Sequence, residues 1–142
     1  SLINHKANVA QTKNNGFTAL MSASLNGHVS CIDSLINHKA DVAQADSNGI
    51  TSLMYASQDG HVSCIESLIN HKANVAQTKN NGFTALMSAS LNGHVSCIDS
   101  LINHKADVAQ ANSDGATALT YASEEGHVSC IDSLIRSCSD QK

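Results

Sequence analysis

Apolar and polar positions follow one repeating order along the chain. Thr18 is followed by Ala19, Leu20, Met21, Ala23 and Leu25, then by Asn26-Gly27, and then by Val29, Ile32, Leu35 and Ile36 at spacings of three and four. Such spacings put side chains on one face of a helix. Cys31 lies beside that face, while Asp33, Ser34 and Asn37 fall on the other side. The earlier run predicts a first short helix. Thr18 is placed to cap its free amides, and Gly27 to stop it in the left-handed conformation, so that a second helix begins near His28. Upstream, Lys13-Asn14-Asn15-Gly16 is dense in turn formers, and Asn-Gly favours the positive φ of a tight hairpin turn. Downstream, Ala40-Asp41-Val42-Ala43 alternates enough to predict an extended run into the next turn.

This order recurs with a period of 33 residues, and the segment from Ser1 to Ala45 returns unchanged from Ser67 to Ala111, a longer period of 66. Each predicted helix spans about two to three turns, below the roughly 12 residues at which an isolated helix holds together in water. Burying Val29, Ile32, Leu35 and Ile36 contributes on the order of 1.5–3 kcal/mol per side chain. Only the partner helix and the neighbouring repeats can supply that burial. The units must therefore stack into an array rather than close on one core. The expected units are residues 13–45, 46–78, 79–111 and 112–142, after a partial unit at 1–12 that holds the second-helix half.

A unit of turn, helix, Gly-His, helix and loop at this length resembles the ankyrin repeat. The family's turn and first-helix pattern is matched by Gly16, Thr18, Leu20 and Ala23, by Gly49, Thr51, Leu53 and Ala56, by Gly82, Thr84, Leu86 and Ala89, and by Gly115, Thr117, Leu119 and Ala122. The Gly-His junction recurs at Gly27-His28, Gly60-His61, Gly93-His94 and Gly126-His127. The resemblance implies an all-α solenoid of stacked helix-turn-helix repeats with hairpin-like turns between them, working by binding protein. Three departures stand out. The family's Pro is Ala19, Ser52, Ala85 or Ala118, which removes a residue pre-set for the first helical turn. Its His is Met21, Met54, Met87 or Thr120, so the hydrogen bonds made by that His are expected to be lost. The Gly that ends its second helix is Lys39, Lys72 or Lys105, and a left-handed lysine costs roughly 1–2 kcal/mol.

Composition narrows the function. With 8 Lys and Arg against 12 Asp and Glu, the chain lacks the basic stripe that phosphate binding needs, so no nucleic-acid partner is expected. No apolar run reaches the roughly 18 residues of a membrane span, and nothing reads as a signal peptide. Four of the 5 cysteines recur at one repeat position (Cys31, Cys64, Cys97, Cys130) with Cys138 left over. That is no disulfide framework. It fits small apolar side chains in a reducing compartment, cytosol or nucleus.

His28 with Cys31, repeated three more times, invites a metal or a nucleophile. Equivalent residues of stacked repeats sit roughly 10 Å apart, too far to share one zinc ion. Core packing and helix-start hydrogen bonding is the expectation, with no metal, cofactor or catalytic residue. His5, His38, His71 and His104 are placed to suit the negative end of the helix dipole. Asp33, Glu66, Asp99 and Asp132 are expected on a solvated face.

The remaining surface is the ridge of turn tips and first helices. Its candidate partner-binding residues are Asn14, Asn15, Phe17, Leu25, Ser47, Asn48, Ile50, Tyr55, Gln58, Asn80, Asn81, Phe83, Leu91, Tyr121 and Glu124. Exposed Phe, Ile, Leu and Tyr in a row would form an apolar patch that anchors a protein or peptide. The competing reading packs Phe17 and Phe83 on their neighbouring turns. Two further alternatives are a structural spacer in a longer array and a designed or consensus-like repeat protein. The chain opens in mid-repeat without Met, which predicts a piece of something longer, with an N-terminal apolar face that further repeats or end-to-end association would cover. At the other end, Arg136-Ser137-Cys138-Ser139-Asp140-Gln141-Lys142 predicts a polar cap.

Overall fold

The computed structural model describes residues 7–140, with side chains to residue 138. Expectations resting on residues 1–6, His5 among them, and on the last residues of the polar cap lie outside this range. Eight α-helices occur among the described residues, in four pairs: α1 (Ala19–Asn26) with α2 (Val29–Asn37), α3 (Ser52–Gln58) with α4 (Val62–Asn70), α5 (Ala85–Leu91) with α6 (Val95–Asn103), and α7 (Ala118–Glu124) with α8 (Val128–Asp140). First helices pack on first helices and second helices on second helices, pair after pair, so the molecule is an all-α solenoid. Turns fold back at single antiparallel bridges between Thr12 and Thr18, Ala45 and Thr51, and Thr78 and Thr84.

Local chemistry explains where each helix starts. The hydroxyls of Thr18, Thr51, Thr84 and Thr117 accept the amide protons of Met21, Met54, Met87 and Thr120, at 3.1, 3.4, 3.2 and 3.4 Å. With Met or Thr in place of the family's His, two of the caps are reciprocated by the replacing side chain. The Met21 sulfur accepts from the Thr18 amide at 3.4 Å, and the Thr120 hydroxyl accepts from the Thr117 amide at 3.1 Å. Sulfur is a weak acceptor, but it closes the same ring.

The helix ends are set differently. Gly27 is left-handed (φ 80°), and a Cβ there would lie 2.7 Å from the His61 ring of the next pair. Glycine thus permits both the turn and the close approach of the following unit. Lys39, Lys72 and Lys105 are left-handed, with φ of 76°, 76° and 74°, a strain of roughly 1–2 kcal/mol each. The segment after them is not extended as expected. Asp41 accepts the Ala43 amide at 2.9 Å through its side chain, and Asn74 and Asp107 do the same for Ala76 and Ala109. These side chains mimic a backbone turn, and short-range bonding outcompetes the weak alternation.

The core runs between the helix layers. Ile32, Ile65, Ile98, Leu68, Leu101 and Leu134 are buried, as are Leu20, Leu53 and Leu86. Cys64, Cys97 and Cys130 are buried among them, whereas Cys31 is exposed. The fourth pair departs from the rest. Arg136-Ser137-Cys138 stand where the others carry Asn-His-Lys, so no left-handed lysine intervenes and α8 continues to Asp140. On this pair Leu119, Val128 and Ile135 remain 36, 66 and 51% exposed.

Candidate functional site

At the ridge, two clusters of like geometry recur. Phe17 meets Tyr55 edge to face with ring centroids 5.3 Å apart, and Phe83 meets Tyr121 at 5.3 Å. The Lys13 ammonium lies 5.5 Å above the Phe17 ring and that of Lys79 4.8 Å above Phe83, within reach of a cation–π attraction. The tips are tied backbone to backbone, because the Ser47 amide donates to the Asn15 carbonyl and the Ser113 amide to that of Asn81, both at 2.8 Å.

Behind each aromatic pair sits a side chain that organises the turn. Asp46 accepts the amides of Asn48 and Ile50 at 2.9 and 3.0 Å, and it also accepts the Tyr55 hydroxyl. Burial, and then the hydrogen bond to Asp46 and the charge of that carboxylate, push the Tyr55 phenol above its ordinary range. Asn112 holds its own turn likewise, through the amides of Asp114 and Ala116 at 3.0 and 2.9 Å. Its side-chain amide donates to the Tyr121 oxygen at 2.7 Å. The bond to the tyrosine therefore runs in opposite directions at the two clusters.

The junction between the second and third pairs is built otherwise. Ile50, Met54, Gln58, Lys79, Phe83 and Ser88 line a small crevice of about 30 Å³. Three candidate ridge residues, Ile50, Gln58 and Phe83, are thus brought together there.

Of the candidate residues, Asn14, Asn15, Ser47, Asn48, Gln58, Asn80, Asn81 and Glu124 are exposed. Phe17, Leu25, Ile50, Tyr55, Phe83, Leu91 and Tyr121 are half-buried rather than exposed. The expected open apolar row is corrected on this point, because each phenylalanine packs in a T-shaped contact with a tyrosine of the next pair. Sequence reasoning missed Lys13, Lys79, Asp46 and Asn112. A signal was present: units with Lys and Phe carry Ser22 or Ser88, while those with Asp46 or Asn112 carry Tyr55 or Tyr121.

The second helices hold the remaining chemistry. At their own helix starts His61, His94 and His127 bond through the backbone carbonyl, which accepts the amides of Ile65, Ile98 and Ile131, while the rings of His61 and His94 make no cap there. Each of the three donates a ring N–H one pair back, to the carbonyls of Leu25, Gln58 and Leu91 at 2.9, 2.9 and 3.1 Å. Those carbonyls end the preceding first helix and need partners. Nor are the acidic residues merely solvated. Asp33 accepts from the Ser67 hydroxyl at 2.6 Å and lies 3.4 Å from the His71 ring. Glu66 accepts from Ser100 and from His104, the latter at 3.0 Å, and Asp99 accepts from Ser133. The Ser100 hydrogen bond and then that from His104 hold the Glu66 carboxyl below its usual range. His38, by contrast, donates to the Ser34 carbonyl of its own helix at 2.8 Å.

Burial raises the thiols of Cys64 and Cys130, assisted by the charges of Asp33 and Asp99, and raises that of Cys97 to about 11. A thiol held protonated is a poor nucleophile. Among the described residues, no group of three or more His, Cys, Asp or Glu stands close enough to hold a metal, and no helix is long and apolar enough to cross a membrane. A family model described as ankyrin repeats (3 copies) matches residues 1–79 and again residues 70–142. No curated protein matches the chain.

Proposed function

The chain belongs to the ankyrin-repeat family, and from that premise we propose that it is a non-catalytic module whose tip ridge docks a protein or peptide. Ankyrin repeats are in general protein-interaction modules. The observation that carries the reading is the recurrence of one rigid cluster, lysine over phenylalanine against tyrosine, at two places two repeats apart. Half-buried aromatic anchors rimmed by exposed Asn14, Asn15, Ser47, Asn48, Asn80 and Asn81 combine an apolar centre with a polar, hydrogen-bonding edge, the composition of protein interfaces. Gln58 and Glu124 extend that edge along the first helices. We take the docking units to be residues 13–45, 46–78, 79–111 and 112–142, and free thiols at all the described cysteines support a cytosolic or nuclear setting.

The test is affinity capture with the double variant Phe17→Ala/Phe83→Ala against a control, Ser30→Ala/Ser96→Ala, altered at exposed positions of the second helices. Loss of a captured protein in the first variant alone supports the ridge. Equal capture by both overturns it. A spacer reading draws on the tip-to-tip backbone bonds, which commit the ridge to stacking; it predicts no specific capture by the unaltered chain.

A further inference from the structure

We infer that the groove between α6 and α8 is a binding site for a small imidazole-type ligand, a planar N–H heterocycle that carries a carboxylate. Second helices meet at three junctions in the stack, α2 with α4, α4 with α6 and α6 with α8. At the first, Asp33 accepts from Ser67 and lies 3.4 Å from the His71 ring. At the second, Glu66 accepts from Ser100 and from the His104 ring, the latter at 3.0 Å. The third keeps the acid and the serine, for Asp99 accepts from Ser133. It lacks the imidazole. Ser137 stands at the place of His71 and His104, and Arg136 at the place of Asn70 and Asn103.

That exchange leaves room. Asp99, Ile102, Asn103, Ser133, Arg136 and Ser137 line a hollow of about 310 Å³, a size at which small-molecule sites begin. The lining comes from two helices already packed against each other, so the shortened side chain at 137 is what opens the space. Nor does Ser137 replace the lost ring at the acid, because its hydroxyl is committed to the Ser133 carbonyl at 2.8 Å.

The lining also sets what fits. At the first two junctions the carboxylate of the groove is met by an imidazole, and a ligand carrying that ring brings the same N–H donor to Asp99. Half-buried Ile102 supplies apolar surface for the ring. Arg136 adds a cation where the earlier junctions have a neutral asparagine. Among the described residues no ion pair joins it to Asp99, and a guanidinium suits a carboxylate borne by the ring. Exposed Asn103 can donate to the anion or accept from the ring. The acid stands on α6 and the cation on α8, so a ligand with an N–H donor and an anion bridges the two helices. Bound there, it supplies the cross-junction link that the other junctions hold in their own side chains, and it raises the melting temperature.

NMR titration of the full chain with imidazoleacetate, and separately with imidazole, is the test. Amide shifts centred on Asn103, Ser133 and Ser137 saturate in the millimolar range, the strength that one ring and one exposed charge pair provide. Imidazole alone binds about two- to fivefold more weakly, for want of the charge pair. Arg136→Gln, at an exposed position, removes that preference, and Asp99→Asn weakens both probes. Ser137→His supplies the ring from within, as His71 and His104 do, and abolishes binding of both with a thermal melt no lower than the parent's. Asp99 is exposed, so Asp99→Asn decides the matter whatever Ser137→His does to folding. Absence of saturable shifts overturns the inference. So do shifts centred on another junction, full affinity retained by Asp99→Asn or by a folded Ser137→His, or equal affinity of the unaltered chain for the two probes.

Discussion

Residues 13–45 and 79–111 share every side chain, yet α5/α6 is enclosed on both sides while α1/α2 leaves Cys31, Ser34 and Ala19 exposed. In a solenoid, burial belongs to a position in the stack and not to a sequence. The same leucine is a core residue at 101 and a half-buried one at 35. Substitutions at paired positions therefore read the energy of stacking directly, with the intrinsic contribution of the residue cancelled.

The largest contrast is expected for leucine. Leu101→Ala empties a fully enclosed site and should cost about 2–5 kcal/mol, whereas Leu35→Ala should cost about half as much or less. Urea unfolding of the two variants measures the gap, and equal midpoints would break the comparison. A smaller contrast lies in the glycines. Gly93→Ala meets strain at φ 78° and also drives a methyl to 2.8 Å from the His127 ring, while Gly126→Ala meets strain alone. The strain costs on the order of 1–2 kcal/mol at both sites, so any excess at Gly93 in a thermal melt is the contribution of the imidazole contact.

The smallest effect concerns acid. Glu66 is held below its ordinary range in the folded chain by Ser100 and His104. A depressed carboxyl contributes stability that is fully present above its unfolded value and is lost as pH falls through the folded one. Glu66→Gln should flatten the acid side of the stability–pH curve slightly, screened by the partial exposure of the pair. The same substitution should leave stability near neutral pH only modestly lower. A curve unchanged in slope below the carboxylate range would show that the bridge between α4 and α6 carries nothing.

Much of this architecture was legible in the order of residues. Threonine caps, glycine stops and the three-four spacing of Val29, Ile32, Leu35 and Ile36 act within one helix, and each was visible in a short window. Left-handed Lys39, Lys72 and Lys105 could be read because glycine is normally needed where they stand. What escaped were bonds between units. His61 looked like a helix-start residue because its true acceptor, the Leu25 carbonyl, lies 36 residues away. Asp33 looked solvated because Ser67 and His71 belong to the next pair. Phe17 looked exposed for the same reason: Tyr55, which packs against it, is contributed by the α3 helix of the next pair. The Asp41 turn failed differently, since a local side-chain bond outweighed a faint alternation.

The tips add a consequence for how such a chain can lengthen. A Phe-bearing unit followed by a Tyr-bearing one gives an aromatic junction, and the reverse order gives the crevice between Ile50 and Phe83. Copying one unit of 33 residues would set like beside like, two phenylalanines without a tyrosine or two tyrosines without a phenylalanine. Copying 66 leaves every neighbour familiar. Growth by doublets is thus the step that selection can accept without any compensating mutation.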